Sequence, residues 1–270
     1  MEELGRMKRF AVLLCAEDSD YVKKKYGGYF GVFVAMLAEE GEIWDVFRVS
    51  SGHFPSDDEI GLYDGFVITG SCNDAHGNDA WICKLLILLK KLDSLNKKVL
   101  GICFGHQILA RALGGKVARA TTGWDIGVRS INFSTSMKMF TNLKLPTRLS
   151  LIECHRDEVR ELPSKVEVLA SSDKTKVEMF RYGDHIMGVQ GHPEYTKDIL
   201  LQLIDRLLQH NLIEEWNAIK GRGSMEENEP DRETWKQLCT SFLKGKLWTL
   251  RISRGTNTQV RTSIVNPKKQ

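Results

Sequence analysis

The sequence has no strong excess of either charge and no long uninterrupted apolar run. Its 38 Lys and Arg residues nearly balance 35 Asp and Glu residues, for a net charge of +3. That value does not indicate a protein that binds nucleic acid or a membrane surface. The most apolar stretch, residues 81–92, contains three lysines and is too polar to cross a bilayer. Residues 1–8 lack the apolar core of a signal peptide. We therefore expect a cytosolic protein with no nucleic-acid or membrane partner.

Closely paired cysteines are also absent. The six cysteines are scattered, and none of them forms a C-x-x-C pair or a Cys/His spacing typical of zinc sites. This pattern favours reduced thiols in an intracellular protein. We expect no structural zinc, no catalytic metal and no other cofactor.

What is present, in the first part of the chain, is a regular alternation of strand-like and helix-like segments. Short apolar runs predict buried strands, and longer stretches with a helical period predict helices. Strands alternating with helices in this way indicate an α/β fold with a doubly wound, mostly parallel sheet. The strands are predicted at 10–15, 43–49, 66–69 and 99–102, and the helices at 29–37, 81–95 and 104–113.

The second part of the chain is richer in short strand candidates. They are predicted at 116–118, 127–133, 149–152, 166–170, 177–182 and 186–189, before a helix at 196–209. Residues 221–230 read as a polar linker, 231–244 as a last helix, and 245–270 as a basic, disordered tail. We therefore predict a catalytic domain over 8–220, a linker and C-terminal helix over 221–244, and the tail over 245–270.

The junction of the strand at 99–102 and the next helix has the pattern of a nucleophile elbow. Cys103 stands there with Gly101 and Gly105 two residues to either side, which is the Gly-x-nucleophile-x-Gly arrangement with sulfur as the nucleophile. A sharp turn exposes the side chain, and the following helix directs its amide N–H groups at the sulfur, which favours the thiolate. An isolated cysteine in an apolar segment is otherwise a small buried hydrophobe, but the two glycines favour the nucleophile.

A thiol nucleophile needs a base, and the base needs an orienting group. His192 follows the predicted strand at 186–189, so it falls at the same carboxyl edge of the sheet as Cys103. Glu194, two residues further on, can reach back to the imidazole, and Pro193 restricts the backbone between them. On its own this tripeptide would be a surface turn; together with the elbow it predicts a Cys-His-Glu set.

The motifs Gly-Ile-Cys-Phe-Gly-His-Gln at 101–107 and Gln-Gly-His-Pro-Glu at 190–194 resemble those of the class I glutamine amidotransferase-like superfamily. The resemblance covers roughly residues 8–215. Within the superfamily, the chain as a whole is most similar to the plant γ-glutamyl peptidases, which act on glutathione conjugates. This resemblance implies a flavodoxin-like sheet with the elbow and additional short strands.

The resemblance also implies roles for single residues. Cys103, His192 and Glu194 fall on the family's catalytic triad. The backbone amides of Phe104 and Gly70 fall on its oxyanion donors, although the loop at 70–73 departs from the Gly-Gly-Pro-Gly pattern of many relatives. Gln107 falls on a residue that helps bind the α-amino and carboxylate end of the substrate. His155 and Asp157 match a further family motif, where a structural role is expected.

Three functions remain open at this point. The first is a peptidase that cleaves the γ-glutamyl amide of a small peptide such as a glutathione conjugate. The second is an amidotransferase subunit that passes ammonia to a partner synthase, and the third is a non-catalytic family member. We expect the first, without a synthase partner, because the triad is complete and the residues after 220 are too few for a synthase domain. In that case Lys23 to Lys25, in the loop predicted after the first strand, could meet the carboxylate of the leaving peptide; a solvated cationic loop is the alternative.

Overall fold

The strand-like runs of the sequence form one large sheet with helices on both of its faces. The structure is a computed structural model that describes residues 6–134, 143 and 145–248. The first elements are β1 (Arg9–Leu13), α1 (Asp20–Tyr26), α2 (Gly28–Leu37), β2 (Ile43–Phe47), α3 (Asp57–Leu62), β3 (Gly65–Ile68), α4 (Ala80–Ser94), β4 (Lys98–Ile102) and α5 (Phe104–Ala112). There follow β5 (Lys116–Arg119), β6 (Asp125–Phe133), β7 (Arg148–His155), β8 (Asp157–Glu161), β9 (Glu167–Ser171), β10 (Met179–Tyr182), β11 (Ile186–Val189), α6 (Lys197–Gln209), α7 (Glu215–Glu227) and α8 (Arg232–Leu243).

The sheet has nine strands in the order β2-β1-β3-β4-β11-β10-β9-β6-β7. The pairings from β2 through β11 are parallel, and those from β11 through β7 are antiparallel. Strands β5 and β8 form a separate antiparallel pair. The predicted α/β, doubly wound fold is confirmed. The elbow lies at the carboxyl end of β4, beside β11.

Alternate side chains of the central strands pack on opposite faces of the sheet, as the pleat requires. On β1, Ala11 and Leu13 join a core under α4 and α5, whereas Phe10 and Val12 join a core under α2 and α8. A strand covered on both faces must be apolar throughout, which explains its unbroken apolar run.

Two predicted loops are helical in the structure. The linker predicted at 221–230 is wrong for its first seven residues, because α7 continues through Glu227. Gly221 and Ser224 of this helix lie against β6: a Cβ at Gly221 would be 3.0 Å from Ile126 Cγ2, and Ser224 Oγ accepts the Val128 N–H at 3.0 Å. The small residues Gly221 and Ser224 therefore reflect a close helix-to-strand approach.

The lysine-rich loop predicted after β1 is helix α1. Ser19 caps that helix by accepting the Val22 N–H. Strand β8 was not predicted at all, because only Val159 in its centre is a buried aliphatic residue.

The start of the predicted C-terminal tail is folded. A short 3₁₀ helix spans Lys246–Trp248, and Leu247 is buried. The remainder of the tail, 249–270, lies outside the described residues, so its predicted disorder stays a prediction. Within the described parts of the chain, no helix has the length and apolar character needed to cross a membrane.

Candidate active site

Cys103 has the strained backbone of a nucleophile elbow. Its φ of 53° and ψ of −104° lie in a region that side-chain-bearing residues rarely adopt. The two glycines permit the turn: a Cβ at Gly101 would lie 2.4 Å from the Gly105 carbonyl oxygen, and a Cβ at Gly105 would lie 2.4 Å from the Ile68 carbonyl oxygen. The spacing in the sequence thus reflects the close packing of α5 against β3 and β4.

The thiol itself is enclosed. Cys103 is only 6% exposed, and burial raises its pKa well above the usual value, with further contributions from Cys154, Glu153 and Glu194. The Phe104 N–H lowers the pKa, but by less. Desolvation of the buried sulfur thus opposes the stabilisation of the thiolate that we expect from the helix terminus. A base beside Cys103 that can take up its proton is therefore needed.

A buried histidine and carboxylate lie immediately after β11. His192 Nδ1 donates to Glu194 Oε1 at 2.8 Å, and both side chains are almost fully buried. This hydrogen bond leaves Nε2 as the basic nitrogen of the neutral ring. The His192 backbone N–H donates to the Ile152 carbonyl at 2.7 Å, which holds the loop against β7.

Tyr195 completes the support of the imidazole, and the sequence did not reveal this role. Its ring stacks on that of His192 with centroids 4.0 Å apart and an interplanar angle of 5°. The two residues are three positions apart, and only their proximity after folding shows the contact. The imidazole is therefore fixed both at its edge, by Glu194, and on its face.

Gly70 lies beside both the candidate nucleophile Cys103 and the candidate base His192. A Cβ built on Gly70 would be 3.0 Å from His192 Cε1 and 3.8 Å from Cys103 Cβ. The loop after β3 therefore passes directly beside both groups, as an oxyanion donor must. Phe104, the first residue of α5, directly follows Cys103, and its backbone N–H lowers the pKa of the thiol. The structure places both predicted donors beside the thiol.

Gln107 is also at the site, although its amide is partly occupied. Its Nε2 donates to the Asp157 carbonyl at 2.8 Å and to Gln190 Oε1 at 3.2 Å. These bonds hold the side chain at the cavity wall. Its Oε1 is the atom that can still accept a hydrogen bond from a ligand.

Three further titratable groups lie behind the base. Glu153, His155 and Glu178 are buried, and their side-chain N and O atoms lie within 4.8 Å of one another. His155 Nδ1 bonds the Asp157 carbonyl at 3.0 Å, and its Nε2 is 3.3 Å from Glu153 Oε2. Neither carboxyl has a hydrogen-bond partner among the described residues, and burial raises the pKa of both well above the usual range.

This set of one histidine and two carboxylates could hold a divalent cation, and in its absence burial favours protonated carboxyls. The structural role expected for His155 and Asp157 fits this position. A second group of similar composition, Asp74, His76 and Asp157, is already neutralised, because Arg119 contacts both aspartates at 3.0 and 2.6 Å.

The site opens into a cavity of about 800 Å³, within the range of roughly 300–1,000 Å³ usual for small-molecule sites. Beyond Cys103, His192 and Glu194, its walls combine aromatic, aliphatic, cationic and acidic residues, the acidic ones being Glu17, Asp18, Asp74 and Asp157. The other wall residues include Trp81, Trp124, Leu203, Leu207, Leu212, Arg156 and Arg206.

Lys23 to Lys25 do not line this cavity. They lie on α1, and Lys25 is bound to Asp198 at 2.9 Å. The contact that we expected from these lysines is not present.

Comparison with known proteins places this geometry in a family. The model of the family "Glutamine amidotransferase class-I" matches residues 30–200. The chain is 53% identical to Gamma-glutamyl peptidase 5 of Arabidopsis thaliana, over 90% of its own length and 98% of the relative's. It is 50% identical to Gamma-glutamyl peptidase 3 of the same plant, over 91% and 100%. A glutamine amidotransferase structure from Thermotoga maritima superimposes with a TM-score of 0.69 at 21% identity, covering 89% and 98% of the two chains.

Proposed function

Since the chain belongs to the class-I glutamine amidotransferase family, we propose that it is a γ-glutamyl peptidase that hydrolyses γ-glutamyl amide bonds through Cys103, His192 and Glu194. The size of the cavity favours a peptidase over an ammonia-releasing amidotransferase. The ammonia released from glutamine is small, whereas this cavity of about 800 Å³ continues to a wall of Trp124, Leu203 and Leu207. That space suits a bulky leaving amine. The similarity over nearly full length to relatives named γ-glutamyl peptidases supports the same choice.

In this mechanism catalysis begins with proton transfer from the thiol of Cys103, whose pKa is raised by burial. His192 Nε2 takes the proton as the sulfur attacks the γ-carbonyl carbon. Glu194 stabilises the imidazolium through the 2.8 Å bond to Nδ1. General base catalysis of this kind contributes roughly 10²–10⁴ in rate.

The negative charge then develops on the carbonyl oxygen. The backbone N–H groups of Gly70 and Phe104 are the donors in this proposal. Among the described residues, Gly70 N–H has no intramolecular acceptor, so it is available to the oxyanion. Loss of one such donor typically costs about 10²–10³ in turnover.

Three further proton transfers by His192 complete the reaction. The imidazolium donates its proton to the leaving nitrogen as the C–N bond breaks, which leaves a γ-glutamyl thioester on Cys103. The neutral imidazole next takes a proton from water, whose oxygen attacks the thioester carbonyl. The C–S bond breaks, the imidazolium returns its proton to the sulfur, and glutamate is released.

Gln107 is the residue that we propose for the glutamyl end of the substrate. Its amide nitrogen is held by Asp157 and Gln190, so Oε1 can accept a hydrogen bond from the substrate α-ammonium group. We further propose glutathione conjugates as the substrates, with a Cys-Gly conjugate as the released product. The reaction takes place in the cytosol, without a synthase partner.

A product assay on the purified full-length protein tests the proposal. The protein is incubated separately with glutathione, S-benzylglutathione and glutamine, without added ATP, metal or partner, and the products are identified by mass spectrometry. We expect glutamate and S-benzyl-Cys-Gly, and no turnover by Cys103→Ala. Ammonia from glutamine as the only product would instead indicate an amidotransferase subunit. Undiminished turnover by Cys103→Ala would exclude the mechanism.

A further inference from the structure

Two arginines of the cavity wall, Arg156 and Arg206, have no ion-pair partner among the residues that the structure describes. Arg156 lies between β7 and β8 and is half-buried. Its Nε is buried without a hydrogen-bond partner, and within the described parts of the chain no ion pair or hydrogen bond is found for its guanidinium group. Arg119, on the same cavity, differs in that Asp74 and Asp157 already neutralise it.

The residues around Arg156 hold its guanidinium group in place and give it an apolar environment. Its guanidinium carbon lies 5.5 Å from the centre of the Trp124 ring, within the range of a cation–π contact. Trp124 is itself held by the bond from Nε1 to the Leu212 carbonyl at 2.9 Å. Trp124, Leu212 and the neighbouring Leu207 all line the cavity. Low polarity around a cation strengthens its attraction for an anionic ligand.

We propose that Arg156, held against Trp124, binds the terminal carboxylate of the leaving peptide and so makes the enzyme selective for γ-glutamyl peptides with a free C-terminus. This inference rests on the proposed function, since it concerns the part of the substrate beyond the scissile amide. A planar guanidinium group can bond both oxygens of a carboxylate. In this proposal Arg156 has the role that we expected for the lysines of α1, which do not line the cavity.

The test compares substrates that differ only in that charge. S-benzylglutathione, its C-terminal glycinamide and γ-glutamyl-p-nitroanilide are assayed with the wild type and with Arg156→Met, which keeps an unbranched stem. The wild type should show kcat/KM about 10- to 100-fold higher for the acid than for the amide, as one charge-assisted contact provides. In Arg156→Met that ratio should fall close to one, while hydrolysis of the anilide stays within about threefold.

Three further variants make the assignment specific. Arg156→Lys should restore only part of the ratio, because an ammonium group lacks the planar fork. Arg148→Met removes an exposed arginine of β7 that is bound to Asn132 at 3.0 Å, and it should leave the ratio unchanged. Arg206→Met removes the other cavity arginine without an ion-pair partner in the described structure; if it abolishes the ratio while Arg156→Met does not, the assignment to Arg156 is overturned.

Binding to an inactive variant separates this inference from the proposed function. Calorimetry with Cys103→Ala compares S-benzyl-Cys-Gly with its amide and needs no turnover. A preference for the acid that disappears in Cys103→Ala/Arg156→Met supports the inference. Equal affinity of the acid and the amide, or an acid-to-amide ratio that persists without Arg156, overturns it, whereas failure of every substrate to yield glutamate overturns the proposed function.

Discussion

The imidazole of His192 lies parallel to the ring of Tyr195, at a centroid distance of 4.0 Å and an angle of 5°. Together with the hydrogen bond from Nδ1 to Glu194, this stacking contact holds the imidazole in one orientation. Positioning of this kind contributes to rate because a misplaced group loses much of its effect.

Replacement of Tyr195 tests this positioning role. Tyr195→Phe keeps the stacked ring and should retain kcat within about threefold. Tyr195→Leu should lower kcat by roughly 10- to 100-fold and broaden or shift the pH profile of kcat/KM, because the imidazole is no longer fixed. Stopped assays across pH 5–9 provide the measurement, with the unfolding midpoint as a check of folding. Identical profiles for Tyr195→Leu and wild type would contradict the role.

Uncharged substitutions of His192 and Glu194 should lower turnover to different extents. His192→Asn removes the proposed base and should reduce turnover to near background, because burial raises the pKa of Cys103 and so disfavours loss of its proton without a base. Glu194→Gln keeps a ring partner and should retain measurable activity, with a loss on the order of 10²–10⁴ from the wrong tautomer and a less stable imidazolium. Steady-state kinetics on S-benzylglutathione distinguish the two variants. Higher activity in His192→Asn than in Glu194→Gln is the result that would refute the assignment.

Alanine substitutions at two glycines near the elbow should have different main effects, one on stability and the other on activity. A Cβ at Gly105 meets the Ile68 backbone oxygen at 2.4 Å, whereas a Cβ at Gly70 meets the His192 ring at 3.0 Å. Gly105→Ala should therefore destabilise the protein by about 2–3 kcal/mol or more, as overpacking against backbone does. Gly70→Ala should lower stability much less and yet reduce kcat at least tenfold through displacement of the base. Urea unfolding and kinetics on both variants check the contrast, which fails if Gly70→Ala is the less stable of the two.

The buried carboxyls behind the base predict how stability depends on pH. Burial raises the pKa of Glu178 in the folded state, so the folded protein binds a proton that the unfolded chain releases above its ordinary pKa of about 4.3. The stability contributed by the protonated form is complete below that value and is lost as the pH rises towards the folded-state pKa. Glu178→Gln removes this dependence and should increase the free energy of unfolding at pH 8.

Urea unfolding between pH 5 and 8 measures the difference in slope between variant and wild type. Its maximum for one group is about 1.4 kcal/mol per pH unit. Glu161→Gln, at an exposed position, is the matched control and should have no such effect. A parallel pH dependence in wild type and Glu178→Gln would contradict the prediction. A bound cation would give a different result. Glu178→Gln would then be less stable than the wild type, and added Zn²⁺ would stabilise the wild type but not the variant.

Local sequence was sufficient for the elbow and the base because each is encoded in a few consecutive residues. Gly101 and Gly105 reveal the tight turn around Cys103, and His192-Pro-Glu follows a strand that must end at the same edge. The prediction of Gly70 as an oxyanion donor rests only on the family resemblance, because no local pattern marks its loop.

Features that depend on long-range packing were not accessible in the same way. Tyr195 reads as an ordinary loop residue, and the proximity of Glu178 to His155 arises from sheet order alone. The glycines of α7 suggested a linker because their partner, β6, is about 90 residues earlier in the chain. In each case the missing information was the neighbour in space.

Helix α8 has a consequence for synthesis of the protein. Its Trp235 and Phe242 belong to the same buried cluster as Leu100 of β4, and a Cβ at Gly65 of β3 would lie 2.9 Å from Leu243. Strands β3 and β4, which lead to Gly70 and Cys103, therefore keep part of one face uncovered until residues 232–243 have left the ribosome. A nascent chain that already contains Cys103, His192 and Glu194 is still incompletely packed and prone to aggregation until α8 has docked.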